Sequence, residues 1–281
     1  PWTARFAASG HGIQIQHGAH AGRLVQQYTI RTADGTVQAV SVYSDDHGQT
    51  WKPGAPTEGS ADENKVVELS DGRLLLNSRT QGTAGQRLEA ISYDGGQTWG
   101  PFRHNWDLTD PRNNASIVRA YPDAPEGSAR ARVLLFSNAD SSSARANGTI
   151  RISYDDGFTW NDGKVFESGE MAYSTLHPLG DGTWGLLYES GGYKNIEFMR
   201  VDAAYLGLVD PDVQLGTYTV GWSATPEDEP DHRIEGVCLT DMFLDKIRQI
   251  RIIIGRLVEY NLFQRIQVEI FLRNRPGIVG F

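Results

Sequence analysis

The sequence predicts an all-β protein of the β-propeller class, and three observations carry that expectation. The pattern S-x-D-x-G-x-T-W occurs three times, as Ser44-Asp46-Gly48-Thr50-Trp51, Ser92-Asp94-Gly96-Thr98-Trp99 and Ser153-Asp155-Gly157-Thr159-Trp160. From 44 to 92 and from 92 to 153 the intervals are 48 and 61 residues, near the ~40–50-residue spacing of propeller blades. Short runs of β-forming residues fill the gaps, several closed by Asp-Gly turns such as Asp71-Gly72 and Asp181-Gly182. The 31 glycines, 7 tryptophans and 11 tyrosines among 281 residues suit short strands, tight turns and aromatic packing.

Each repeat has a local physical reading. Asp folds onto nearby backbone N–H groups and Gly supplies a positive φ, which is hairpin-turn chemistry. Thr and Trp open the following strand, with the indole packed under the turn. The Ser, Asp and Thr side chains of the boxes are therefore structural. Around them the expected strands run over 22–30, 37–43, 65–69, 73–78, 88–92, 115–121, 132–137, 149–153, 173–177, 183–188 and 195–201. At about four strands per blade these fill roughly three to four blades, an incomplete propeller.

Composition shifts after the propeller region, 1–202. Residues 203–236 read as an acidic linker containing Pro211, Pro226 and Pro230. Residues 237–281 are basic, and Leu239, Phe243, Ile247, Ile250, Ile254, Leu257, Leu262 and Ile266 fall at helical spacing, although the Ile-rich stretch reads equally as a strand. A core-facing amphipathic helix is favoured over membrane contact there. Net charge of −9 opposes nucleic-acid binding. The single cysteine, Cys238, excludes an internal disulfide and a thiolate metal cluster. His11, His17 and His20 lack metal-ligand spacing, so neither metal nor cofactor is expected. No run reaches the ~18 apolar residues of a membrane span. The sequence opens at Pro1 without methionine and reads as part of something longer.

The three boxes, with the segments DENKVVELSDGRLLLNSR, SSARANGTIRISYDDG and EMAYSTL in that order, resemble the exo-sialidase (neuraminidase) family of six-bladed propellers over about residues 5–202. The likeness is greatest to secreted actinobacterial members. The box alone is shared with sortilin-type receptors and some xyloglucan hydrolases, so the other segments carry the resemblance. It implies a sialylated glycan as substrate and an extracellular location. Glu63, sixteen residues before Arg79 at a strand end, matches the family's glutamate–arginine pair. Arg145, eight residues before Ser153, matches a second arginine; Arg151 competes for that role but sits inside the strand leading to the box. Tyr173, in an AYS segment 28 residues beyond Arg145, matches the nucleophile, and Asn113 and Asn114 are implied to line the pocket.

The residue types fit the chemistry. A sialic acid carries a carboxylate on its anomeric carbon, and arginine meets it with bidentate charge-assisted bonds that lysine cannot reproduce. A carboxylate nucleophile would be repelled by that charge, whereas a neutral tyrosine is not, and a neighbouring glutamate takes its proton. Taken singly, Glu63 reads as a solvated loop acid, Arg79 and Arg145 as surface arginines and Tyr173 as strand packing. Their joint spacing favours the catalytic reading. The family's first arginine and its aspartate acid/base have no match, and the resemblance gives Asp62 no such role. Two function classes follow: an exo-α-sialidase, impaired in a chain of this extent, and a non-catalytic sialoglycan-binding propeller that keeps two arginines as a clamp. The pairing of Glu63 with Tyr173 favours the enzyme, since a lectin needs neither base nor nucleophile.

Overall fold

A computed structural model describes residues 2–82 and 85–213. They form fifteen strands: β1 (Trp2–Ala7), β2 (Ile13–Gln14), β3 (Leu24–Thr32), β4 (Val37–Ser44), β5 (Lys52–Pro53), β6 (Asn64–Glu68), β7 (Leu74–Ser78), β8 (Gly85–Ser92), β9 (Arg103–Asp110), β10 (Ser116–Arg119), β11 (Leu134–Ala139), β12 (Ala146–Ser153), β13 (Lys164–Pro178), β14 (Trp184–Ser190) and β15 (Asn195–Val201). One short helix, α1 (Ala203–Leu206), follows, capped by the Asp202 side chain and closed by Gly207 in the left-handed region. Every expected strand overlaps an observed one. The sequence reading missed β1, β2, β5, β9 and the first half of β13.

All pairings are antiparallel, and all but β1 with β3 join strands consecutive in the chain. In the first sheet β3, β4 and β5 follow in order, with β1 and β2 sharing one edge of β3. The second is β6–β9, and the third is β10–β12 with the first half of β13. The fourth is the second half of β13 with β14 and β15. These are four blades of an incomplete propeller. Their first strands β6, β10 and β13 lie side by side.

Why the central strands read as continuous apolar runs is visible at β7 and β11. Leu74 packs with Ile15, Val25 and Val66 between blades one and two, while Leu75 packs with Ile117 and Phe136 between blades two and three. At β11, Leu134 and Phe136 face blade two, and Leu135 joins Trp184 and Leu186 toward blade four. Side chains alternate across a strand, so a strand with both faces covered needs apolar residues at every position. Each fully buried leucine contributes about 1.5–3 kcal/mol.

The three boxes repeat one bonding scheme. Ser44 Oγ accepts from Gly48 N at 2.8 Å, and Asp46 Oδ1 accepts from Ser44 Oγ at 2.7 Å and Thr50 N at 2.8 Å. Ser92, Asp94, Gly96 and Thr98 repeat this, as do Ser153, Asp155, Gly157 and Thr159. Gly48, Gly96 and Gly157 have φ of 85°, 88° and 81°, conformations closed to most side chains. Trp51 and Trp160 pack beneath Gly48 and Gly157. Trp99 departs from the pattern by donating its indole N–H to Ser41 Oγ across blades, at 3.1 Å.

The propeller unit extends past residue 202. Leu206 and Leu208 are buried with Trp184 and Val201, and Arg130 pairs with Asp210. Residues 203–213 of the expected linker therefore pack on the fourth blade, because α1 turns its leucine inward. The rest of that linker and the expected tail 237–281 lie outside the described residues.

Candidate active site

Topology places the site. In antiparallel blades, the start of the first strand, the end of the second and the start of the third share one rim. Glu63 precedes β6, Arg79 follows β7, Arg145 precedes β12, and Tyr173 lies where the inner half of β13 begins. All four occupy that rim. The boxes begin at the last residues of β4, β8 and β12, on the opposite rim. Folding thus separates the repeats that close the hairpins from the residues that vary between blades.

Local bonds hold each group. The β6–β7 ladder continues one residue outward, with Arg79 N donating to Glu63 O at 3.1 Å and Asp62 N to Arg79 O at 3.3 Å. Tyr173 sits at an irregularity in the β13–β14 pairing, between Met171 and Ser174. Such bulges re-aim a side chain. Its backbone N–H donates to Glu189 Oε2 at 3.1 Å, and Asn113 Nδ2 donates to the neighbouring Ala172 O.

The side chains converge. Tyr173 OH donates to Glu63 Oε2 at 2.7 Å, and Arg79 Nη1 lies 2.9 Å from the same oxygen. Arg79 Nη2 pairs with Asp62 Oδ2 at 2.7 Å. The Arg145 guanidinium lies over the Tyr173 ring, 5.4 Å from its centroid, within cation–π range. Ser9 Oγ approaches Glu63 Oε1 at 3.4 Å. Glu63 is 5% exposed, which overturns its reading as a solvated loop acid. Arg151, the competing arginine, instead pairs with Asp140 at 2.7 Å and donates to Asn161 O, tying its own hairpin.

Burial and the Glu63 carboxylate, through its hydrogen bond and its charge, push the Tyr173 phenol up to about 12, against the pull of Arg79 and Arg145. The resting phenol is therefore neutral and needs its partner to lose a proton. At Arg79, burial disfavours the charge, but the bond to Asp62 and the charges of Glu63 and Asp62 outweigh it and hold the guanidinium up. Lys65, buried beside Gly10, is brought down to about 7 by burial and by Arg87, with Glu63 opposing.

Asn113 and Asn114 are buried. Asn113 is a buttress: its backbone N–H donates to Asp110 Oδ1 at 2.7 Å, and the buried Arg87 binds Asp110 and Asn113 O. Sequence reasoning missed three contributors: Arg87, Glu189 and Tyr193. Asp62, which the sequence reading weighed beside Glu63 and gave no acid role, serves instead to anchor Arg79. Arg87 and Glu189 lie within ordinary strands and gave no signal. Two openings flank the centre. One, of about 180 Å³, is lined by Arg145, Glu170, Ala172 and Tyr193; the other, of about 360 Å³, by Asp62, Arg79, Phe6 and Arg112. Among the described residues no group of His, Cys, Asp and Glu is arranged to hold a metal.

A half-buried phenol bonded to a carboxylate, with one arginine on that carboxylate and another over the ring, on a four-bladed stretch of propeller, defines a propeller protein with a paired tyrosine–glutamate centre. Comparison agrees. Residues 4–186 match the BNR repeat-like domain family. The chain is 58% identical over 219 residues to a sialidase of Micromonospora viridifaciens, covering 76% of this chain and 34% of that protein. It is 31% identical over 210 residues to the anhydrosialidase of Macrobdella decora, covering 67% and 26%. Among solved structures, the Hadza microbial sialidase Hz136 aligns with a TM-score of 0.64 at 30% identity, over 73% of this chain and 39% of that one. The chain belongs to the BNR repeat-like family and, within it, to the bacterial sialidases. It spans about a third of the length of the curated sialidases it matches first.

Proposed function

We propose that this chain carries the nucleophilic half of the active site of an exo-α-sialidase, a retaining glycoside hydrolase that releases terminal sialic acid from glycans. The observation that carries the proposal is the 2.7 Å bond from Tyr173 OH to Glu63. Arg79 and Arg145 receive the substrate carboxylate. Tyr173 Oη attacks the anomeric carbon as its proton passes to Glu63 and the glycosidic C–O bond breaks, the aglycone oxygen taking a proton from solvent; the hydroxide so formed cleaves the sialosyl-tyrosine, and Glu63 returns its proton to Tyr173 Oη. The family resemblance read from the sequence implies an extracellular location, with sialylated glycoconjugates as substrates.

The test is chemical trapping of the protein purified from its natural source. A fluorinated sialosyl fluoride forms its intermediate quickly and releases it slowly, so peptide mass spectrometry reads the labelled residue. An adduct on Tyr173 is expected. An adduct on any other residue, or a protein that turns over sialosides and never acquires one, overturns the reading.

A further inference from the structure

Arg79 and Arg145 are held in opposite ways. Arg79 meets two carboxylates, Asp62 and Glu63, which spend much of its charge. Arg145 pairs with no acid among the described residues; its contacts are the Tyr173 ring and the Tyr193 hydroxyl, which accepts from Arg145 Nη1 at 2.5 Å. A guanidinium left unpaired turns through many rotamers. A neutral acceptor fixes it without cancelling its charge.

The turn between β14 and β15 is built to present that acceptor. Gly191, Gly192 and Tyr193 all have positive φ, at 57°, 64° and 68°. For tyrosine this conformation is strained, and such strain persists where the surroundings enforce it. Gly191 N donates to Glu170 O at 3.1 Å, which docks the turn against β13, and Lys194 N donates to Ser190 O at 3.2 Å, which closes the turn on itself. A Cβ on Gly192 would lie 2.9 Å from Glu170 Oε2, so that glycine permits the close approach. The Tyr193 ring is 59% exposed and contributes little to the core.

We propose that Tyr193 is a positioning residue that orients Arg145 for the substrate carboxylate while leaving its charge available. The inference rests on the reading of Arg145 as a carboxylate-binding residue.

Two measurements on the 281-residue chain test it. The first needs no ligand: ¹⁵N NMR of the Arg145 guanidinium reads rotation about its Nε–Cζ bond. Rotation is expected to be hindered in the parent and to quicken at least tenfold in Tyr193→Phe; equal rates overturn the proposal. The second titrates N-acetylneuraminic acid and its methyl ester. Tyr193→Phe is expected to weaken the acid roughly fivefold to tenfold, as for one charged hydrogen bond at an exposed site, and the ester less than twofold. Equal losses on both ligands would mark Tyr193 as merely structural. Tyr193→Gly, which relieves the strained φ, is expected to raise the melting temperature yet weaken the acid just as much. If Arg145 rotation quickens but Arg145→Met binds both ligands like the parent, the carboxylate-binding role fails while the tether stands.

Discussion

Replacing Glu63 by glutamine tests the centre of the proposed site with almost no change of shape. The carboxylate is 5% exposed and accepts from Tyr173 and, through the same oxygen, from Arg79. Each charged hydrogen bond contributes about 1.5–3 kcal/mol, against about 0.5–1.5 kcal/mol for a neutral one. An amide keeps the neutral fraction, and Asp62 still pairs with Arg79, so the expected loss of stability is about 1–3 kcal/mol. The Tyr173 phenol must respond with a definite sign. Of the three causes that raise it to about 12, the charge of Glu63 is lost and the bond to its carboxylate is reduced to a neutral one, leaving mainly burial against Arg79 and Arg145. Its pKa therefore falls in Glu63→Gln. The assay is ultraviolet titration of tyrosinate near 295 nm, with the Tyr173→Phe spectrum subtracted in each background so that one phenol is followed. In the protein from its natural source, turnover of a fluorogenic sialoside is expected to drop by roughly 10²–10⁴, the usual contribution of a general base. A phenol still titrating near 12, or turnover within threefold of the parent, would refute the pairing.

Tyr173→Phe is expected to abolish turnover while leaving sialic-acid affinity within about threefold, because the hydroxyl acts on chemistry and the arginines on binding; unchanged kcat would contradict it. The 281-residue chain alone is expected to hydrolyse sialosides at most weakly, since Asp62 is engaged by Arg79 and no other described acid is assigned to the leaving group, a loss of roughly 10²–10⁴; turnover matching a full-length relative would sink that view. Asp46 is held down to about 2 by Thr50 and Ser44. A depressed carboxyl stabilises the fold above its unfolded value near 4 and loses that contribution as pH falls toward 2, so Asp46→Asn should flatten the acid-unfolding curve there.

Much of this was legible because a repeat enforces it. The box turns need an Asp acceptor and a positive-φ glycine wherever they recur, so Asp94 and Gly96 announce themselves beside Asp46 and Gly48. Strands covered on both faces, such as Leu74-Leu75-Leu76, announce themselves by apolar continuity. The strand β1 did not, because its residues are exposed throughout, and neither did β9, whose buried positions fall three and two apart and whose pairing with β8 is broken by a register shift. Tyr173, Glu63 and Arg145 were legible only through spacing shared with a family. No periodicity brings together residues 63, 145 and 173, because their proximity depends on blade order around an axis. The anchoring of Asn113 was hidden for the same reason: Arg87, on β8, holds its carbonyl and Asp110 together.

The unequal arginines also decide where charge goes during the proposed reaction. At rest, Asp62 and Glu63 balance Arg79 and Arg145, and the phenol is neutral. When Tyr173 passes its proton to Glu63, the negative charge moves from a carboxylate held by Arg79 to an oxygen on the ring beneath Arg145. Arg79 keeps Asp62, so it gains little freedom to follow. Arg79 pulls harder on the phenol than Arg145 does, but Arg145, with no acid of its own among the described residues, is the cation free to share its charge with the new phenolate. The same guanidinium would bind the substrate carboxylate, so the two anions share it. That sharing keeps the phenolate from being over-stabilised and so preserves its nucleophilicity. Arg145→Lys should therefore harm both stages: a point charge cannot serve two anions as a planar fork does. The expected outcome is a rise in KM together with a fall in kcat, each at least fivefold. A rise in KM alone would show that Arg145 binds substrate and leaves the phenolate to other groups.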